Sequence, residues 1–265
     1  MDAVSNVLVV DVGNTNVVIG IYRSDVLVAS WRLATARDRT DDEYGMLARQ
    51  LVNKVTTDPI NGAIVSSVVP PLNSTVAQMI EGYFGIRCLF VEPGIKTGVA
   101  LKVENPLEVG ADRIVNAAAG FALYGGPSII VDFGTATTFD VIGSKGEFLG
   151  GVIAPGLTIS AEALFARAAR LPRIDIKRPA RVIGTNTVTN LQSGIYFGYL
   201  GLVDGILARM KQELGPLKTV MATGGLASLL ADDSEHIEGV DAELTLKGLK
   251  IIYDRNQSAG RSRRR

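Results

Sequence analysis

Apolar and polar positions fall into short blocks from the start of the chain. Val7 to Val12 is apolar except for Asp11 and stops at Gly13, Asn14 and Thr15; a second run fills Val17 to Tyr22 and a third Val26 to Leu33. Short apolar runs bounded by turn residues are the pattern of buried strands, so the opening predicts three strands joined by tight turns. Thr40 and Glu43 are spaced for a capping box, and Met46, Leu47, Leu51 and Val52 recur at helical spacing, which predicts a helix to about Lys54. Ala63 to Val69 predicts a buried strand, Val76 to Phe84 a helix and Arg87 to Val91 another strand, with Pro70 and Pro71 as punctuation.

From Ile129 the pattern begins again. Ile129 to Phe133, Phe139 to Ile142 and Gly146 to Ile153 predict three more strands, the first two joined by a turn at Gly134 and Thr135. DVGNTNVVIGIY, beginning at Asp11, and DFGTATTFDVIG, beginning at Asp132, lie 121 residues apart and carry acid, glycine and a threonine-bearing turn in the same order. Such a repeat predicts an internal duplication with one copy per half. Helices are then predicted over Leu157 to Arg170, Thr187 to Leu214 and Leu246 to Tyr253, and a strand over Thr219 to Ala222 before the TGG turn at Thr223 to Gly225. The halves are expected to span residues 1–125 and 126–255, with a disordered basic tail over 256–265.

Composition narrows the classes. Acids and bases balance at 27 each, and the only basic run is GRSRRR at the end, a solvated tail rather than a nucleic-acid surface. The single cysteine, Cys88, excludes an internal disulfide framework and a cysteine zinc site, which fits a reducing compartment, the cytoplasm. MDAVSNVLVVDVG lacks a basic leader, so no signal peptide is expected. The most apolar stretch, Ile195 to Ala208, is interrupted by Asp204 and glycines and is shorter than the roughly 20 residues of a membrane span, so it is expected to be a buried helix.

A strand that ends in Asp, followed by Gly and then small hydroxyl or amide residues, sets a carboxylate beside a turn whose amides suit a phosphate. In the first copy Asp11 is placed to hold magnesium through water, and Asn14, Thr15 and Asn16 offer donors to phosphate oxygens. One such turn alone reads equally as a plain hairpin; two copies plus TGG favour phosphate. On its residues alone, Asp112 in GADR (Gly110 to Arg113) is a first-turn acid favoured by the helix dipole and Thr187 an N-cap, while for Asp132 capping a neighbouring turn is the lesser alternative. His236, in an acidic loop, reads as a surface residue, and Cys88 and Trp31 as core.

DVGNTN, DFGTATTFD and TGG together resemble the phosphate and adenosine motifs of the acetate kinase, sugar kinase, Hsp70 and actin superfamily. Within it, VGADRIVNA at Val109 to Ala117, GGVIAPG at Gly150 to Gly156 and NTVTNLQSGIYFGYLGLVDGI at Asn186 to Ile206 resemble type III pantothenate kinases, over nearly the whole chain from Val7 to about Leu230. The resemblance implies an α/β fold, a duplicated ribonuclease H-like (actin-like ATPase) architecture with two similar halves around a nucleotide cleft. It implies ATP-dependent phosphorylation of pantothenate to 4'-phosphopantothenate, the first step towards coenzyme A, by a homodimer that involves neither nucleic acid nor membrane; the glycine-punctuated apolar helix from Gly194 to Ala208 stays open as part of that interface or as interior core.

By the same resemblance Asp112 is the proton acceptor and Gly110, Ala111, Asp112, Arg113 and Thr187 contact pantothenate. Asp11, Val12, Gly13, Asn14, Thr15, Asn16, Val17, Val18 and Thr135 contact ATP with Mg2+, and Asp132 holds a monovalent cation, K+ or NH4+. One departure is Val103, ahead of Glu104, Asn105 and Pro106, where many relatives have tyrosine; it puts one pantothenate or potassium contact in doubt. Two rival readings stay open on the sequence: a kinase or phosphohydrolase for another acceptor, and a non-catalytic accessory protein, against which the intact Asp11, Asp112, Arg113 and Asp132 argue.

Overall fold

The computed structural model of the chain describes residues 5–262. Its first part runs β1 (Asn6–Val12), β2 (Asn16–Arg23), β3 (Val26–Ala34), α1 (Asp41–Asn53), β4 (Gly62–Ser67), α2 (Asn73–Phe84) and β5 (Cys88–Phe90). A short strand β6 (Ala100–Leu101) and helix α3 (Ala111–Tyr124) follow. Then come β7 (Ser128–Phe133), β8 (Ala136–Ile142), β9 (Glu147–Pro155), α4 (Leu157–Arg167), α5 (Thr187–Leu214), β10 (Thr219–Thr223), α6 (Ala227–Leu230), β11 (Gly239–Val240) and α7 (Leu244–Ser262). Contacts divide these into two compact units. One comprises residues up to 100, Glu104–Ala119 and the chain from Glu243 on; the other comprises Leu101–Val103 and Gly120–Ala242.

In the first unit the strands lie in the order β3-β2-β1-β4-β5, antiparallel from β3 to β1 and parallel from β1 to β5. β1 is buried on both faces, which is why its sequence is almost continuously apolar instead of alternating. Leu8, Val10 and Val12 pack with Tyr44 and Ala48 of α1 and Val76 and Met79 of α2. Val7, Val9 and Ile64 face the other way, against Val115 and Ala118 of α3 and Leu246, Leu249 and Ile252 of α7. The capping box forms as the sequence predicts: Thr40 Oγ1 accepts from Glu43 N at 3.2 Å, and Thr40 N donates to Glu43 Oε2 at 2.8 Å.

This arrangement corrects the expected division. The last helix belongs with the first unit, because its apolar stripe covers the β1–β4 face, and residues 101–103 belong with the second. Residues 256–262, expected as part of a disordered tail, continue α7; residues 263–265 lie outside the described residues.

In the second unit the order is β11-β10-β7-β8-β9-β6. β8 is antiparallel to β7 and β9, while β10 is parallel to β7 and β11, so the strand–turn–strand–turn–strand opening and parallel addition of the first unit recur. α5 lays Tyr196, Tyr199, Val203, Leu207 and Met210 on the core formed by Ile129, Val131 and Phe133. These positions follow helical spacing and occupy one face. The opposite face corrects the expectation of a buried helix, since Gly194, Gly198 and Gly201 are exposed. Among the described residues no helix is long and apolar enough to cross a membrane.

Candidate active site

Asp11 sits at the carboxyl end of β1, and the turn that follows is held from two sides. Gly13 N donates to Asn16 O at 2.9 Å, and Thr35, just past β3, donates through Oγ1 to Gly13 O at 2.7 Å and through N to Thr15 O at 3.0 Å. Arg37 Nη2 donates to Asn14 Oδ1 at 3.3 Å, which brings a positive charge to the turn. Asn14 and Thr15 are exposed while Val12 and Val17 on either side are buried, so the turn is anchored at its base and open at its tip.

Asp11 pairs in parallel register with Ser66 of β4, so both side chains share one face of the sheet. Ser66 is fully buried, yet among the described residues its Oγ has no hydrogen-bond partner. A buried hydroxyl left unpaired costs about 1–3 kcal/mol, so an apolar residue would serve the core better. Among the described residues no three His, Cys, Asp or Glu side chains converge. One carboxylate with a nearby hydroxyl fits a hard cation whose other ligands are phosphate oxygens and water, as Mg2+ prefers.

The GADR segment reaches the same strand ends. Val68, just after β4, donates its N–H to Val12 O at 3.0 Å, and a Cβ placed on Gly110 would lie 3.5 Å from Val68 Cγ1. That Cβ would also approach Asp112 Oδ1 to 2.5 Å, so any side chain at 110 would displace the carboxylate. Asp112 lies in the first turn of α3 and accepts from Arg113 N at 2.8 Å. Burial pushes its carboxyl above the ordinary aspartate range, opposed by that N–H and by the Arg113 charge. The first unit thus gathers Asp11, the first turn, Asp112 and Arg113 at the carboxyl ends of β1 and β4, where parallel sheets place their ligands.

In the second unit Asp132 occupies the place on β7 that Asp11 has on β1. Gly134 N donates to Ala136 O at 3.2 Å, and Gly156 N to Thr135 O at 3.1 Å, leaving Thr135 exposed at the tip. Thr223, the first residue of TGG, is in register with Asp132, and Gly224 follows with φ at +92°. A Cβ on Gly224 would come within 2.5 Å of Asp132 Oδ1 and 2.7 Å of Phe133 N, so close approach and backbone conformation both require glycine. TGG and the second turn therefore form one constellation.

Thr187 is the first residue of α5, but it is not the cap. Asn186 is: its Oδ1 accepts from Thr189 N at 3.0 Å, and Thr189 Oγ1 accepts from Asn186 N at 3.2 Å. The Thr187 side chain is thereby left exposed, and it lines a groove of about 460 Å3 with Leu164, Leu171, Asn190 and Leu191. Val103 lies beside β9, 3.8 Å from where a Cβ on Gly150 would stand. His236, expected at the surface, is half-buried, and Cys88 and Trp31 are half-buried at the edge of the first core rather than inside it.

Sequence reasoning missed Thr35, Arg37 and Ser66. A signal existed for Thr35, which falls 121 residues before Gly156 and so shares its place in the repeat. Ser66 lay inside an apolar run and gave none.

The sequence profile of type III pantothenate kinases matches residues 7–209. The chain is 56% identical to a type III pantothenate kinase of Koribacter versatilis, over 97% of this chain and 98% of that one. It is also 56% identical to one from Geobacter sulfurreducens, over 94% and 99%. Among solved structures it resembles a protein of Campylobacter jejuni described as a Baf family transcriptional activator, with a TM-score of 0.60 at 21% identity over 95% of this chain and 99% of that one. It likewise resembles the activator of a 2-hydroxyisocaproyl-CoA dehydratase from Clostridium difficile, with a TM-score of 0.53 at 12% identity over 97% of each chain. At these identities the structures establish the fold alone, the actin-like ATPase and sugar kinase architecture.

Proposed function

Because the chain belongs to the type III pantothenate kinase family, and so phosphorylates pantothenate from ATP with a divalent metal on the way to coenzyme A, we propose that Asp112 accepts the proton of the pantothenate hydroxyl as the γ-phosphoryl group is transferred. Gly110, Ala111, Arg113 and Thr187 hold pantothenate, and Arg113 supplies fixed positive charge beside the transferred group. Asp11, through water, holds Mg2+, which screens the phosphate charge when bound; Val12 to Val18 and Thr135 contact ATP. Asp132 serves K+ or NH4+. The two units are the halves of a duplicated kinase, each carrying one phosphate-binding turn.

The observation that carries this reading is the crowding at Gly110. Only the absence of a side chain there lets Asp112 stay where it is, at the strand ends that also bear Asp11. A partly buried carboxylate with a raised pKa is matched to accepting a proton late in a loose phosphoryl transfer.

The enzyme acts as a homodimer in the cytoplasm on this reading. Gly194, Gly198 and Gly201 share one open face of α5, where among the described residues an added Cβ meets nothing within 4 Å beyond its own stretch of helix, and such a face admits close approach of a second helix. Light scattering at micromolar concentration checks the dimer, and a monomer refutes it.

Asp112→Asn is the decisive test. It should lower kcat about 100- to 10,000-fold, the usual worth of a general base. The wild-type kcat/KM should fall on the acid side with a midpoint above the ordinary aspartate value of about 4. Because the folded-state pKa is raised, this site favours folding at low pH and costs stability as pH rises through the raised value. The neutral asparagine should therefore raise Tm by a few degrees at pH 7 and not at acid pH. A folded Asp112→Asn variant with wild-type turnover would overturn the assignment.

A further inference from the structure

The two phosphate turns are equivalent in the repeat but are secured by different groups. Asn16 pairs with Ala34 and Ala136 with Pro155, so Thr35 and Gly156 are the corresponding next residues. Both clamp their turn through a main-chain N–H, to Thr15 O and to Thr135 O. Thr35 adds a hydroxyl donated to Gly13 O. Gly156 cannot, because a Cβ there would collide with Thr135 O.

A hydroxyl is supplied in the second unit from another element. Tyr199 of α5, buried, donates through Oη to Pro155 O at 3.1 Å and shares a short hydrogen bond with Thr137 Oγ1. Thr137 is the first residue of β8 paired back to β7, opposite Phe133; the same place in the first unit, opposite Val12, is Val17. The strand pair therefore does not need a hydroxyl there. Thr137 and Pro155 flank the Gly134–Thr135 tip on its two supporting strands, so one tyrosine oxygen bridges both supports.

We propose that Tyr199 is a positioning residue for ATP: its hydroxyl fixes the two strand ends that hold Thr135, doing for the second turn what Thr35 does for the first. This rests on the reading that Thr135 contacts ATP. It goes beyond that reading in assigning part of the ATP affinity to a buried residue of the long helix, bonded to the strands behind the exposed tip.

Three variants test it in the purified enzyme. Tyr199→Phe removes only the hydroxyl, Thr137→Val installs the first unit's residue, and the double variant leaves no unpaired hydroxyl behind. Tyr199→Phe should raise the ATP KM roughly five- to tenfold, the effect of losing about one neutral hydrogen bond, with kcat and the pantothenate KM within about twofold. Tm should drop in Tyr199→Phe and recover in the double variant, whereas the ATP KM should stay raised. A purely structural hydroxyl predicts the reverse, an ATP KM that returns to wild type as Tm recovers, and that result would sink the proposal. Thr135→Ala separates the two levels: if it leaves the ATP KM unchanged, the parent reading of Thr135 fails; if it raises the KM while the double variant does not, only the role of Tyr199 fails.

Discussion

The turn after Asp11 and the turn after Asp132 descend from one pattern, and their differences show how a duplicated scaffold divides its work. Both begin with a half-buried acid and expose two residues at the tip. The strands, however, close one residue sooner in the second: Val12 pairs with Val17, whereas Phe133 pairs with Thr137. The longer turn leaves room for three polar side chains, Asn14, Thr15 and Asn16, with Arg37 beside them. The shorter one has Thr135 alone, but Gly224 presses against its acid. The first turn thus offers several polar side chains and a positive charge, the second a backbone and one carboxylate brought close together.

Breaking the symmetry at its strongest point should have the largest effect. Asp11→Asn removes the only carboxylate of the first turn and should cut kcat/KM by about 100- to 1,000-fold, with a higher Mg2+ requirement in a metal titration. If Asp11→Asn and Asp132→Asn prove equally damaging and equally rescued by Mg2+, the two acids are not divided between divalent and monovalent cations.

A smaller effect follows at the matched pair Thr35 and Gly156. Gly156→Ala forces a methyl group into Thr135 O and should destabilise the enzyme by about 2–4 kcal/mol in denaturant unfolding. Thr35→Ala loses one hydroxyl and should cost about 1 kcal/mol while raising the ATP KM a fewfold. Equal losses at both positions would mean that the second turn tolerates movement the geometry forbids.

Much of this was legible in the sequence because the informative residues stand at breaks in hydrophobic runs. Asp11, Gly13, Asp132 and Thr135 interrupt strands whose cores are all apolar, and the repeat of acid and glycine announced the duplication. The Thr40–Glu43 capping box is a purely local interaction and was read correctly. What escaped notice depends on contacts between distant segments. Ser66 and Tyr199 acquire meaning only from the strand or turn beside them, Asn186 outcompeted Thr187 as cap because Thr189 completes its box, and no local pattern says that α7 covers the first sheet. The glycine face of α5 was half legible for a related reason: the sequence left Gly194 to Ala208 open as interface or interior, because an all-round apolar composition conceals which side is paired.

The return of α7 to the first unit bears on how the chain comes into being. Synthesis delivers Val7, Val9 and Ile64 early, but Leu246, Leu249 and Ile252, which pack on them, only after the whole second unit. One side of the first sheet, with α3 alone upon it, therefore stays partly uncovered until the second unit has been made, so this half cannot mature while the other is still being made. A chain cut short after the second half would carry an apolar sheet face and every candidate site residue, a natural client for chaperones.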